Sequence, residues 1–302
     1  MDPLISLITL ARDNPEELAK TVRSVALQTV KPDTYVVLDS SSRTLAPRMK
    51  DIAESAGATY VWTAPEGIYP AMRMSIDLIP SDSYSWWINS SDWLAGRDSV
   101  KLARQAVTNY EPRPVWVVGQ LIRLHKQSWS YHDSNIDGES LLSRMKTGRS
   151  GFPHPSTIFW TPSLKEVKPY DDGLSIASDY STALRFGQKF GPPLVVPDVL
   201  SLHVPQGISV QKPFRNVFEK SKARLGANVG FQRMAEPGFL LGNIIRGTLH
   251  LVEGSPGNRN GVLRSPDPLG GNRHFCDGNL ESGWPQCCNG RLEDSGPAQG
   301  EG

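Results

Sequence analysis

Two aspartates stand where an α/β protein would place ligand-binding groups. Asp39 follows the apolar run TYVVL in LDSSS, and Asp92 follows YSWWIN in INSSD. Both runs read as strands, so each acid comes at a strand's carboxyl end, the edge at which open α/β sheets bind ligands. Either acid alone reads equally well as a turn residue bonding its own backbone. Together, at alternate strand ends, they describe one crevice. A divalent cation with oxygen ligands, completed by a diphosphate, suits two carboxylates there. Further groups have two readings each. Asp179, in ASDY, stands beside a helix start, where Asp commonly caps. His154, between Pro153 and Pro155, either contacts acceptor or phosphate or positions its loop. Arg73, one turn into the helix after GIYPAM, either meets phosphate or lies on a solvated face. His203, in SLHVPQGIS, either reaches metal or diphosphate or finishes a strand.

The elements that would position these groups alternate. Leu4–Leu10 reads as a buried strand, and Asn14-Pro15-Glu16-Glu17 as a helix start with Asn at the cap and Pro at the first position. Leu18, Val22 and Val25 then share one helical face. Thr34–Leu38, Thr59–Trp62, Tyr84–Asn89 and Pro114–Gly119 read as strands. Arg48–Ala56, Tyr69–Leu78 and Ser99–Thr108 read as helices. This alternation predicts βαβ units in an open, mostly parallel twisted sheet, with helices on its faces. The second half of the chain then completes the sheet and supplies the acceptor side.

Composition excludes several functions. Lys and Arg number 32 against 31 Asp and Glu, so the basic excess that nucleic-acid binding needs is missing. The N-terminus lacks the basic region and cleavage site of a signal peptide, and no window approaches a membrane span. TLARDNPEE carries no glycine-rich dinucleotide turn, and neither a phosphate loop nor a GxSxG elbow occurs. A nucleotide site must therefore be built on acids. From 254 to 302 the chain is rich in Gly, Pro, Asn and Ser and reads as a disordered tail. Its three cysteines (Cys276, Cys287 and Cys288) match no usual zinc spacing.

ISLITLARDNPEELAKTVRSVALQT followed by TYVVLDSSS resembles the opening of the family-2 inverting glycosyltransferases of GT-A fold. EGIYPAMRMSI is similar to the GIYDAMNKG segment of the branch acting in bacterial polysaccharide and glycolipid assembly. INSSDWL takes the place of its NSDD metal motif, GFPHPSTIFW resembles its HQATFF segment, and YDDGLSIASDYSTALR its YDE…ADYDFLLR segment. QGIS matches the closing GG(I/V)S. The ordered similarity covers about 210 residues. It implies a GT-A domain over residues 1–210 and a nucleotide-diphospho-sugar donor. It also implies a saccharide or lipid-linked acceptor, while a main domain free of cysteine fits a cytoplasmic setting. Thr9 and Ala11 would line the nucleobase pocket through backbone, and Asp39 would hold base or ribose. Gly67, Arg73, Ser91 and His154 would complete the substrate site. Asp92 would bind Mg²⁺ or Mn²⁺, and Asp179 would be the catalytic base.

Departures from that pattern keep a second reading open, a non-catalytic sugar-nucleotide-binding relative. Ser91 replaces one acid of the metal motif, Pro65 the acid before GIY, and Pro70 the Asp after it. Beyond the domain, Lys212, Arg215, Lys220, Lys222, Arg224 and Arg233 face a lone Glu219. Residues 211–253 therefore read as a basic, amphipathic helical extension, suited to peripheral contact with an anionic membrane face.

Overall fold

The computed structural model describes residues 3–124, 129–132, 136–170, 173–205 and 207–227, all within one compact unit. The apolar LISLITLA forms strand β1 (Leu4–Ala11), buried along almost its full length. Such a run is what a strand covered on both faces requires. β1 pairs in parallel with β2 (Thr34–Asp39) on one side, and β2 in turn with β3 (Thr59–Trp62). On its other side β1 pairs in parallel with β4 (Ser83–Trp87). These four strands are the expected parallel row.

Beyond β4 the sheet is mixed. It continues through β8 (Thr157–Trp160), β6 (Trp116–Leu124), β9 (Leu194–His203) and the two-residue β5 (Trp93–Leu94), with β7 (Trp129–Tyr131) on β6. β8 runs antiparallel to both β4 and β6, while β6 and β9 are parallel. β8 has only four residues and follows two prolines, so the sequence carries little signal for it. β4 ends at Trp87, so Asp92 stands in the turn between β4 and β5 instead of closing a strand.

Alternation along the strands sends successive side chains to opposite faces. Ile5, Leu7 and Trp86 join one core with α1 (Pro15–Ala26), α2 (Ala46–Ser55) and α4 (Ser99–Thr108). Ile8, Leu10 and Trp87 join the other, beneath α3 (Ile68–Ser75), α5 (Gly138–Lys146), α6 (Thr161–Glu166) and α7 (Ser178–Phe190). Asn14 caps α1 by position, but its side chain makes no cap hydrogen bond.

The chain past 210 does not stand apart. After the short α8 (Ile208–Gln211), α9 (Pro213–Gly226) packs on α7 and contributes Ala223 to the second core. Glu219 is the clamp. Its carboxylate accepts the amides of Ser175, Ile176 and Ala177 at 2.9, 2.7 and 3.2 Å, and the Ser175 hydroxyl at 2.8 Å. Arg215 donates to it at 2.9 Å. Of the charged residues read as a basic face there, Lys212, Arg215 and Lys222 are exposed, while Arg224 and Glu219 are buried. Residues 228–253 and the tail 254–302, with its cysteines, lie outside the described residues.

Burial raises the Glu219 carboxyl, but the donors from Ile176, Ser175, Arg215 and Ala177 outweigh it and leave the pKa below its ordinary 4.5. A carboxyl depressed in the folded state adds stability above its unfolded pKa, and that stability is lost as pH falls through the folded value. Glu219→Ala should therefore cost about 2–4 kcal/mol at neutral pH by orphaning three amides. The deficit should shrink below pH 4.5, the ordinary value of this carboxyl. Chemical denaturation of both proteins at pH 7 and pH 3.5 checks this.

Candidate functional site

The carboxyl ends of the parallel strands form one row. Ala11 of β1 pairs with Asp39 of β2, and Asp39 with Trp62 of β3. Ser90 donates its amide to the Leu10 carbonyl at 2.9 Å, which brings the Asn89–Asp92 turn to the same edge. Asp39, expected to contact a nucleoside directly, is fully buried. One oxygen accepts the Ser41 amide and hydroxyl at 2.9 and 2.6 Å, and the other accepts the Tyr60 hydroxyl at 2.8 Å. The carboxylate thus shapes the LDSSS turn. Thr9 is also fully buried, its hydroxyl donating to the Ile88 carbonyl at 2.8 Å.

Asp92 is held from two directions. Its carbonyl accepts the Thr21 hydroxyl at 2.9 Å, and its carboxylate lies 2.7 Å from Nδ1 of His203 at the end of β9. His203 is the last residue of β9, as the strand-end reading has it, and its ring contact is with the Asp92 carboxylate. Asn89 Oδ1 and Ser90 Oγ in the same turn are buried without a partner among the described residues. Ser91 has φ +87°, a left-handed conformation that costs a non-glycine residue roughly 1–3 kcal/mol. Buried polar atoms left unpaired beside a strained turn are a feature of sites completed by a ligand. Among the described residues no three acids, histidines or cysteines cluster. Asp92 and His203 therefore fit a cation as two protein ligands, with open positions left to a substrate.

Asp179 occupies the first turn of α7, half-buried. Tyr69 of α3 lies 3.1 Å from its carboxylate and donates to the Ile176 carbonyl. Burial, then the charge of Asp179, pushes the Tyr69 phenol well above its usual range, so it stays protonated and a donor. Arg73 reaches across to the Tyr170 carbonyl at 2.7 Å. It ties α3 to the loop before α7, a role the sequence did not suggest.

His154 is buried in the short turn ahead of β8. Burial lowers its pKa, and both Asp179 and Asp92 act on it to raise it. It is packed edge-on to Phe152 and Tyr170 and tilted on Trp87, with Nε2 3.2 Å from the Tyr170 hydroxyl. These contacts fix the ring within its loop. Asp92, His154 and Asp179 are thus brought together. Asp39 stands two strands away at the other end of the row.

No family model matches the chain, and no curated protein matches it. Solved structures do. The S. aureus TarS 1–349 structure in complex with UDP aligns with TM-score 0.59 at 13% identity, over 82% of this chain and 72% of that one. The mannosyltransferase PcManGT from Pyrobaculum calidifontis, in complex with GDP-Man and Mn²⁺, aligns with TM-score 0.56 at 16% identity, over 83% and 71%. A mycobacterial protein aligns with TM-score 0.52 at 14% identity. The fold is that of the GT-A glycosyltransferases, as the resemblance implied.

Gly67 precedes α3 at φ +120° and ψ 166°, a region open essentially to glycine alone. It sets the angle at which Tyr69 and Arg73 approach the Asp179 loop. Gly67→Ala should lower unfolding stability by roughly 1–3 kcal/mol. A stability unchanged in urea denaturation would show that this backbone is not constrained.

Proposed function

We propose that this protein is an inverting glycosyltransferase that moves a sugar from a nucleotide-diphospho-sugar to a saccharide or lipid-linked acceptor. The observation that carries this is the Asp92–His203 pair, 2.7 Å apart, beside unsatisfied Asn89 and Ser90, with Asp92 and Asp179 both acting on His154. That TarS structures hold UDP and UDP-GlcNAc, and PcManGT holds GDP-Man and Mn²⁺, supports this donor class.

In this reading the nucleoside lies over the ends of β1 and β2, against the Ala11 backbone and the turn that Asp39 shapes. Gly67 and Ser91 border the donor. Asp92 and His203 hold the cation, which when bound neutralises charge on the diphosphate. A mixed carboxylate and imidazole set suits Mn²⁺ better than Mg²⁺, whose ligands are almost all oxygen. Asp179 takes the proton of the acceptor hydroxyl as that oxygen bonds to the anomeric carbon. The bond from that carbon to the diphosphate breaks on the opposite face, so the configuration inverts. Tyr69 fixes Asp179, and the aromatic wall of Trp87, His154 and Tyr170 keeps water from it.

The replacement of a motif acid by Ser91 favours one other reading, a sugar-nucleotide binder without turnover. Asp179→Asn decides between them. For an enzyme, kcat should fall by roughly 10²–10⁴-fold with donor affinity unchanged. Asp92→Asn should abolish the Mn²⁺-dependent rise in melting temperature that UDP-, GDP- or dTDP-sugars give. A thermal shift from no donor would overturn both readings.

The membrane contact proposed for 212–253 has a defined start. Phe214 and Phe218 are 54% and 70% exposed on α9, one turn apart, near exposed Lys212, Arg215 and Lys222. Aromatic rings flanked by cations suit an anionic interface. Among the described residues no helix is long and apolar enough to cross a membrane. The proposed setting is cytoplasmic and peripheral, at the inner face of the cell membrane. Replacing both phenylalanines by Ser should remove co-sedimentation with anionic liposomes; equal sedimentation would refute the contact.

A further inference from the structure

The carboxyl ends of β1, β2 and β3 carry a feature that the transfer chemistry does not use. Ala11, Asp39 and Trp62 are paired in register across the three strands, so their side chains share one sheet face. Trp62 is half-buried, and its indole N–H donates to the Ser41 carbonyl at 2.9 Å, which sets the plane of the ring. The planar guanidinium of Arg43 covers that ring, its central carbon 3.3 Å from the centroid. Arg43 is exposed and makes no hydrogen bond or ion pair among the described residues. A cation held at an exposed site by such a stack alone is weakly bound and easily exchanged.

A ring face that one planar group covers in contact is a face that a nucleobase can cover in its place. Only the Arg43 side chain has to leave, and because it is exposed the volume it vacates opens to solvent. The backbone on either side is held. Asp13 donates its amide to the Ser41 hydroxyl at 2.7 Å, and Ser42 donates its amide to the Asp13 carboxylate at 2.9 Å. Leu45 and Ala46 both donate amides to the Ser42 carbonyl at 3.0 Å. The edge of a base stacked there meets no free carboxylate. Asp39 is fully buried, and both of its oxygens already accept from Ser41 and Tyr60. Burial, then the hydrogen bond and charge of Asp39, push the Tyr60 phenol up, so its proton stays in that bond. Stacking on an aromatic side chain tolerates any base, because every base presents a π-face.

We propose that Trp62 is the stacking platform for the nucleobase of the donor, which enters by displacing the Arg43 guanidinium from the indole. This rests on the glycosyltransferase reading for the word donor, though not for the base. Base choice is then graded. A platform that recognises stacking area, with no carboxylate reading the base edge, ranks purines above pyrimidines and excludes neither.

Calorimetry on the full chain compares GDP and UDP, each with Mn²⁺, and guanosine without metal. GDP and UDP should both bind the parent within about tenfold of each other, GDP the tighter. Trp62→Leu should weaken all three ligands by about tenfold or more. Trp62→Phe should stay within about threefold of the parent, because it keeps an aromatic face although it loses the Ser41 bond as Leu does. Arg43→Ala should bind guanosine roughly two- to fivefold more tightly, since the competing cation is gone and guanosine carries no phosphate for it to attract. Equal melting temperatures show that the variants fold. Binding unchanged in Trp62→Leu, or lost equally in Trp62→Phe, overturns the proposal. So does weaker guanosine binding in Arg43→Ala, or a parent that binds one diphosphate alone. If guanosine binds through Trp62 and neither diphosphate gains from Mn²⁺, the platform stands and the glycosyltransferase reading falls.

Discussion

The half of the fold built on α7 and α9 depends on one buried carboxylate. Glu219 collects three consecutive amides ahead of α7 and so fixes where that helix begins. Asp179 is two residues beyond the last of them. Lys220 is the next residue after the clamp, so the same interaction sets its position. A helix that charge counting would place on the surface is therefore a structural member of the cleft. Its outer face keeps Phe214 and Phe218 exposed while its inner face supports the site.

Charge in the cleft is mixed. Asp92 meets His203, both Asp92 and Asp179 act on His154, and Asp179 acts on Lys220. The neutral imidazole matters, because a cation there would pair with the acids and blunt their separate roles. Burial among Trp87, Phe152 and Tyr170 keeps it neutral despite both acids. The phenols of Tyr69 and Tyr170 are pushed up by the same desolvation and remain hydrogen-bond donors.

Some of the backbone strain falls at this cleft. Ser91 and Tyr170 both have positive φ, and Gly67 takes a conformation open to glycine alone. Each lies beside a group assigned to the site, where surrounding contacts hold unfavourable backbone in place. In Ser91 the strain coincides with the position where the metal motif departs from its usual acid. His203 meets Asp92 there from a strand more than a hundred residues away in the sequence.

The sequence by itself determined the parallel half of the fold and the list of chemically able residues. Strand periodicity, the Asn14-Pro15 helix start and apolar runs such as LISLITL are local signals, and local signals survive without a structure. β3 and α4 fall where those signals put them, over Thr59–Trp62 and Ser99–Thr108. Asp92, Asp179 and His154 were legible as candidates for the same reason. Only the tertiary structure decided their company. The antiparallel joints of β8, the pairing of His203 with Asp92, the inward turn of Arg73 and the burial of Glu219 each join segments far apart in the chain. The type and spacing of residues record what a side chain is able to do, but its partner and its exposure come from packing.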